Sequence, residues 1–230
     1  MTNERRQYVK FSFFQIDAAW RRLSVAERQS GKQEFLAVLE RYARQMILRS
    51  YSLVGIRGDC DFLLWGVSEQ LEVFPALHAE LLKTGLGTYA RLPYSYLSMT
   101  KRSIYVDEHE HAGQEGTRLT VAPGKAKYLF VYPFVKTRAW YALPRERRQE
   151  MMNVHIAIGH RFPSVKLNTT YSYGLDDQEF VLAFETDQPA DFLDLVMTLR
   201  DTEASSYTER DTPIFSCIAT APAELLDQLG

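Results

Sequence analysis

The chain has 230 residues, 46% of them hydrophobic and 24% charged, enough apolar content to bury a sizeable core in one large domain or two small ones. Its 27 basic residues nearly cancel 29 acidic ones, which argues against nucleic-acid binding driven by counterion release. No run of about 18 apolar residues occurs and the N-terminal segment shows no signal-peptide h-region, so the sequence predicts a cytoplasmic protein without membrane contact.

From the N-terminus, Tyr8 to Ile16 alternates and is rich in aromatics, predicting a strand. Ser24 followed by Glu27 forms a capping-box signature for a helix running to about Met46. Ile47 to Ile56 and Phe62 to Val67 predict a strand pair turned at Arg57-Gly58-Asp59, then a helix over about Gln70 to Lys83 and a strand near Tyr94 to Thr100. A second series follows: a strand at Tyr128 to Val135, a helix from about Pro144 to Arg161, strands at Val165 to Tyr173 and Glu179 to Glu185, a helix from Pro189 to Thr202 and a strand at Pro213 to Ala219. The two cysteines, Cys60 and Cys217, lie inside strand-like segments with no metal-binding spacing, so both are expected to be buried small hydrophobes.

Both series read β-α-β-β-α-β, and YSLVGIRGDCDFLLW from Tyr51 parallels TYSYGLDDQEFVLAF from Thr170 at an offset of about 120 residues. The repeat predicts an α+β fold of two tandem ferredoxin-like units, a dimeric α+β barrel-type fold within one chain. The units are read as residues 1–106 and 125–230, joined by a polar linker over 107–124 that contains Arg118, His109 and His111 and is long enough to suggest a function.

Within the second unit, Met152, His155 and Gly159 share a helix face. Such a histidine could ligate a metal, the glycine leaving room for a flat ligand, or could be a core residue bonded to a carbonyl. His160 points roughly 140° away around the helix, which places it at the surface; His78 reads as an ordinary helix residue. Tyr132 and Lys136 share one side of a strand inside an apolar run, and a buried lysine calls for an anion, unless this is an edge strand from which the lysine reaches water. Arg200 and Glu203 stand three residues apart near a helix end, where such pairs are ordinarily surface salt bridges. No Gly-rich phosphate loop, GxSxG elbow or Cys/His dyad occurs.

YPFVKTRAWYALPRERRQEMMNVHIAIGHRFP from Tyr132 and LRDTEASSYTERDTPIF from Leu199 carry a resemblance to the chlorite dismutase-like family, and within it to the coproheme decarboxylase branch. The resemblance covers almost the whole chain; SYSLVGIRGDCDFLLW and YSYLSMTKRSIY resemble the haem-free N-terminal repeat of that family. It implies that His155 of the M-x-x-H pattern is the proximal iron ligand and that Glu203 accepts a hydrogen bond from its other nitrogen. Arg118, Arg200 and Ser205 would hold propionates, Trp140 would line the porphyrin, Tyr132 of the YPxxK pattern would relay a radical and Lys136 would steady a propionate or move protons.

The resemblance further implies a haem b or coproheme cofactor, hydrogen peroxide as co-substrate and a ring-shaped homo-oligomer, a pentamer. Chlorite dismutases place an arginine about thirteen residues beyond the proximal histidine, where this chain reads Lys166-Leu167-Asn168; no distal histidine is matched either, since Glu115 stands near that place. The expected activity is peroxide-driven decarboxylation of coproheme to haem b. The alternatives are a chlorite dismutase or haem peroxidase, and a haem-binding protein without turnover.

Overall fold

The computed structural model describes residues 5–105 and 120–230. His109, His111, Glu115 and Arg118 lie outside the described residues. The chain divides into two compact units, one formed by the residues up to Met99 together with Phe215–Gly230, the other by Thr100–Ile214.

The first unit opens with β1 (Tyr8–Ile16), whose alternating side chains bury one face. The helix α1 (Val25–Tyr42) starts where the sequence places it: the Ser24 hydroxyl accepts from the Glu27 amide at 3.3 Å and the Glu27 carboxylate accepts in turn from the Ser24 amide at 2.9 Å. Phe35, Val38, Leu39 and Tyr42 recur at helical spacing and bury its inner face. Then come β2 (Ile47–Ser52), β3 (Phe62–Ser68), α2 (Val73–Leu81) and β4 (Ala90–Met99). All pair antiparallel in the order β4-β1-β3-β2, the ferredoxin-like arrangement expected.

The second unit runs β5 (Tyr128–Lys136), a short helix α3 (Arg138–Ala142), α4 (Arg145–Gly159), β6 (Lys166–Tyr171), β7 (Phe180–Thr186), α5 (Pro189–Arg200), a 3-10 turn over Glu203–Tyr207 and β8 (Thr208–Arg210). Strand β7 lies between β6 and β5, antiparallel to both, and β8 continues the sheet beyond β5. Phe130, Phe184, Phe192 and Leu195 pack between this sheet and α5.

The chain ends with β9 (Phe215–Ala219) and α6 (Pro222–Asp227). By sequence these residues close the second repeat, yet they pack with the first unit. Tyr51 and Ser52 of β2 pair with Ala219 and Ile218, Phe215 stacks on Phe13 at 3.9 Å, and Leu225 and Leu226 enter the core that holds Trp20 and Phe35. The Trp20 indole donates to the Gly230 carbonyl at 3.2 Å, pinning the C-terminus there. Compact units and sequence repeats therefore have different boundaries. Cys60 and Cys217 are both buried and free, and burial pushes the Cys60 thiol up to about 12, as inert core cysteines behave. Among the described residues no helix is long and apolar enough to cross a membrane.

The repeat keeps register: β1 spans 8–16 and β5 spans 128–136, α1 begins at 25 and α4 at 145, and Trp20 and Trp140 are each buried. At this offset of 120 residues, fully buried Phe35 stands in the first unit where His155 stands in the second.

Candidate functional site

Pro144 precedes the first turn of α4, where its missing amide costs nothing, and Glu146 in that turn complements the helix dipole. Met152, His155 and Gly159 follow on one side of the helix. A Cβ placed on Gly159 meets nothing within 4 Å, so the space beside that face is open. His155 is half-buried, and burial, followed by the positive charge of Lys136, pushes its pKa down to about 4. Among the described residues its imidazole makes no hydrogen bond and no ion pair. A neutral, half-buried imidazole with no partner is the form in which histidine ligates a metal, and the carbonyl-bonded core histidine is not what the structure contains. The described residues hold no group of three or more His, Cys, Asp or Glu able to cage an ion. The donor set fits a metal that brings its remaining ligands with it, as an iron porphyrin does. His160 is exposed, as its angular position predicted.

Strand β5 supplies two more of the expected groups. Tyr132 is 8% exposed and stacks on Phe184 at 5.7 Å; burial first, then the charge of Asp211, raises its pKa well above the ordinary phenol value. Lys136 is 9% exposed, so it does not reach out to water from an edge strand. Its ammonium donates to the Ala204 carbonyl at 2.6 Å and sits 4.6 Å from the Trp140 ring centre, and burial lowers its pKa to about 8 against the opposing pull of Glu179. Trp140, 3% exposed, packs with Met151 and Ala204, and partly buried Met152 joins this cluster.

Glu203 does not meet His155. Its carboxylate is 52% exposed and takes both oxygens to Arg147, at 2.7 and 2.6 Å. Arg147 lies eight residues before His155, about 12 Å back along the helix axis, so the expected hydrogen bond to the imidazole is replaced by an ion pair near the start of α4. Nor does Glu203 pair with Arg200, which bonds to Asp211 instead. Ser205 is half-buried within the 3-10 turn, its amide bonded to the Thr202 carbonyl. Arg118 lies outside the described residues.

Two carboxylates that the sequence reading did not single out, Glu179 and Glu185, organise polar groups in this unit. Glu179 accepts from the Lys136 amide at 2.8 Å and from the Tyr141 hydroxyl at 2.6 Å, and Tyr141 meets the Tyr173 hydroxyl at 2.5 Å. The Lys166-Leu167-Asn168 stretch is occupied structurally: Asn168 donates to the Glu185 carboxylate at 2.8 Å, while Lys166 lies 3.3 Å from the same carboxylate and also donates to the Ala122 carbonyl. The only advance signal for either was a carboxylate in an otherwise apolar strand pattern.

A fold of two ferredoxin-like units whose second carries, among the described residues, a half-buried histidine without a hydrogen bond defines a duplicated α+β protein with His155 as its candidate metal ligand. The chain matches the chlorite dismutase family over residues 28–220 and belongs to it. It is 30% identical over 167 residues, 72% of this chain and 70% of the other, to the coproheme decarboxylase of Mycolicibacterium smegmatis. In fold it is similar to the chlorite dismutase of Candidatus Nitrospira defluvii in complex with imidazole, with a TM-score of 0.87 at 24% identity, covering 96% of this chain and 94% of that one. It is also similar to a protein of Thermus thermophilus described as heme-binding, with a TM-score of 0.85 at 23% identity, covering 97% and 94%.

Proposed function

We propose that this chain binds an iron porphyrin through His155 and catalyses the hydrogen-peroxide-dependent decarboxylation of coproheme to haem b. The observation that carries the reading is the half-buried imidazole without a hydrogen bond, set in the unit that also buries Tyr132 and Lys136. The coproheme decarboxylase from M. smegmatis and the heme-binding protein from T. thermophilus support it.

When bound, the iron supplies the oxidising power that peroxide delivers. The chain does the rest. His155 offers a neutral nitrogen, since protonation would require a pH near 4. Tyr132 is held protonated by burial and can give up a hydrogen atom, an electron together with a proton, while its ring stacks on Phe184. The phenoxyl radical then takes a hydrogen atom from the β-carbon of a propionate. Loss of one further electron breaks the bond to the carboxylate, so carbon dioxide leaves and a vinyl group remains. For each propionate the balance is one propionate, one hydrogen peroxide and one proton giving one vinyl, one carbon dioxide and two waters; two rounds complete the conversion.

Lys136, with its pKa near 8, would steady a carboxylate or pass a proton, its ammonium held 4.6 Å from the Trp140 ring centre. Arg200, Ser205 and Arg118 are the proposed propionate holders, Arg200 exchanging Asp211 for a propionate as it binds. A ring-shaped homo-oligomer is part of the same proposal. Chlorite dismutation is the weaker reading, because Lys166 and Asn168 are committed to Glu185.

The test is to add coproheme and then small equivalents of peroxide while following porphyrin mass. Loss of two carboxyl groups supports the reading. Unchanged mass or bleaching overturns it in favour of binding alone, and oxygen release from chlorite overturns it in favour of a dismutase.

A further inference from the structure

Helix α4 opens with Arg145, Arg147 and Arg148, and the three are placed differently. Arg145 is exposed. Arg147 is committed, bonded to Glu150 at 2.7 Å and to both oxygens of Glu203. Arg148 is half-buried, and its Nε is shut off from solvent with no hydrogen-bond acceptor; among the described residues no carboxylate pairs with it. A guanidinium cannot shed its charge, so a buried N–H on it without an acceptor is costly. Such a group in a native fold calls for an acceptor from outside the chain, a water or a ligand.

Position on the helix says which ligand. Arg148, Met152, His155 and Gly159 follow one another at steps of four, three and four residues, so they form a single stripe along α4. Arg148 lies seven residues before His155, about 10 Å along the helix axis, a span comparable with that from the centre of a tetrapyrrole to the end of a propionate arm. It also stands one turn before Met151 and Met152, which pack in the cluster around Trp140. A carboxylate is the acceptor a guanidinium binds best, through two parallel charge-assisted bonds. The repeat supplies a comparison within the same chain. Arg28, 120 residues earlier, has the same buried Nε, but there the chain itself lies alongside, a Cβ on Gly230 standing 3.5 Å from the Arg28 guanidinium, and Phe35 takes the place of the histidine.

We infer that Arg148 binds a propionate carboxylate of the porphyrin held by His155, a role that rests on the porphyrin reading of that histidine. Soret titration of the full chain, without peroxide, with coproheme and with its tetramethyl ester, in which every propionate is neutral, tests this. Arg148→Gln is expected to weaken coproheme binding at least about tenfold, as the loss of a charge-assisted bond does, and to leave binding of the ester as in the parent chain. Arg148→Lys keeps the charge without the planar fork and is expected to recover part of the loss. Arg28→Gln is expected to bind both compounds as the parent does. The melting temperature of porphyrin-free Arg148→Gln is expected to match the parent's, because no side-chain bond of the fold is removed. Unchanged coproheme affinity, an equal loss for coproheme and ester, or a melting temperature several degrees lower overturns the inference and makes Arg148 a packing residue. Absence of a Soret shift with either compound in the parent chain brings down the porphyrin reading itself, whereas coproheme binding by the parent that Arg148→Gln does not weaken removes this inference alone.

Discussion

Lys136 and Trp140 form a cation–π pair at the end of β5, the ammonium 4.6 Å from the indole ring centre although the two residues lie on different elements. With the bond to the Ala204 carbonyl, this contact replaces part of the hydration the ammonium loses on burial, but not all of it, and the pKa falls to about 8.

The folded value lies below the ordinary 10.5, so between pH 8 and 10.5 the unfolded chain binds more protons than the folded one and stability rises with pH. Below pH 8 the cost of the buried charge is felt in full. Lys136→Met removes this dependence. In urea unfolding at pH 7 and pH 10, the stability of the parent chain relative to the variant is expected to rise by on the order of 2 kcal/mol at the higher pH. A difference that stays flat between the two pH values would show that the ammonium is already solvated.

The His155 imidazole, without a hydrogen bond among the described residues, contributes little to stability that a hydrocarbon would not. His155→Leu is therefore expected to leave the melting temperature of the porphyrin-free chain unchanged or raised, while abolishing the Soret band on coproheme titration, the trade between function and stability common at binding sites. A variant that still gives the parent spectrum, or that melts several degrees lower, sinks the assignment of His155 as a ligand held ready.

Tyr132→Phe deletes one hydroxyl from a ring that keeps its stacking on Phe184. Coproheme binding is expected to stay within about threefold of the parent, about 0.65 kcal/mol, while carbon dioxide release on peroxide addition stops. Full turnover by the variant would remove the radical relay from the mechanism and leave the porphyrin site standing.

The elements were legible because periodicity and capping are local: Ser24 with Glu27 marked the start of α1, and alternation marked β1 and β5. The oddness of Lys136 was legible too, since an ammonium in an apolar strand has few ways to be accommodated. Partner choice was not. Alternation makes 215–219 a strand but carries no information about which strand it joins, and the contact of Phe215 with Phe13 is set by the tertiary fold. Arg200 and Glu203 have the spacing of a local pair, yet each bonds elsewhere, Arg200 ahead to Asp211 and Glu203 back to Arg147, because the helix ends before Glu203 and the 3-10 turn redirects its side chain. The Tyr141, Glu179 and Tyr173 group joins three segments, and no spacing rule brings these together.

Glu185 tests how the end of the linker is held. It is 3% exposed and accepts from the Gly124 amide at 2.5 Å and from the Asn168 side chain at 2.8 Å, with Lys166 at 3.3 Å. A Cβ on Gly124 would stand 2.8 Å from the carboxylate, so the close approach depends on glycine. Glu185→Ala leaves the Gly124 amide, the Asn168 amide and the half-exposed Lys166 ammonium without their common acceptor, and is expected to cost about 1–3 kcal/mol. Glu185→Gln retains one carbonyl oxygen and is expected to cost less, and Gly124→Ala pushes the carboxylate away while leaving all its side-chain donors in place. Hydrogen exchange at the Gly124 amide reads the anchor directly: slow in the parent chain, fast in Glu185→Ala and in Gly124→Ala. Equal protection in all three would mean that the backbone, rather than the carboxylate, holds residues 122–124 against β6 and β7.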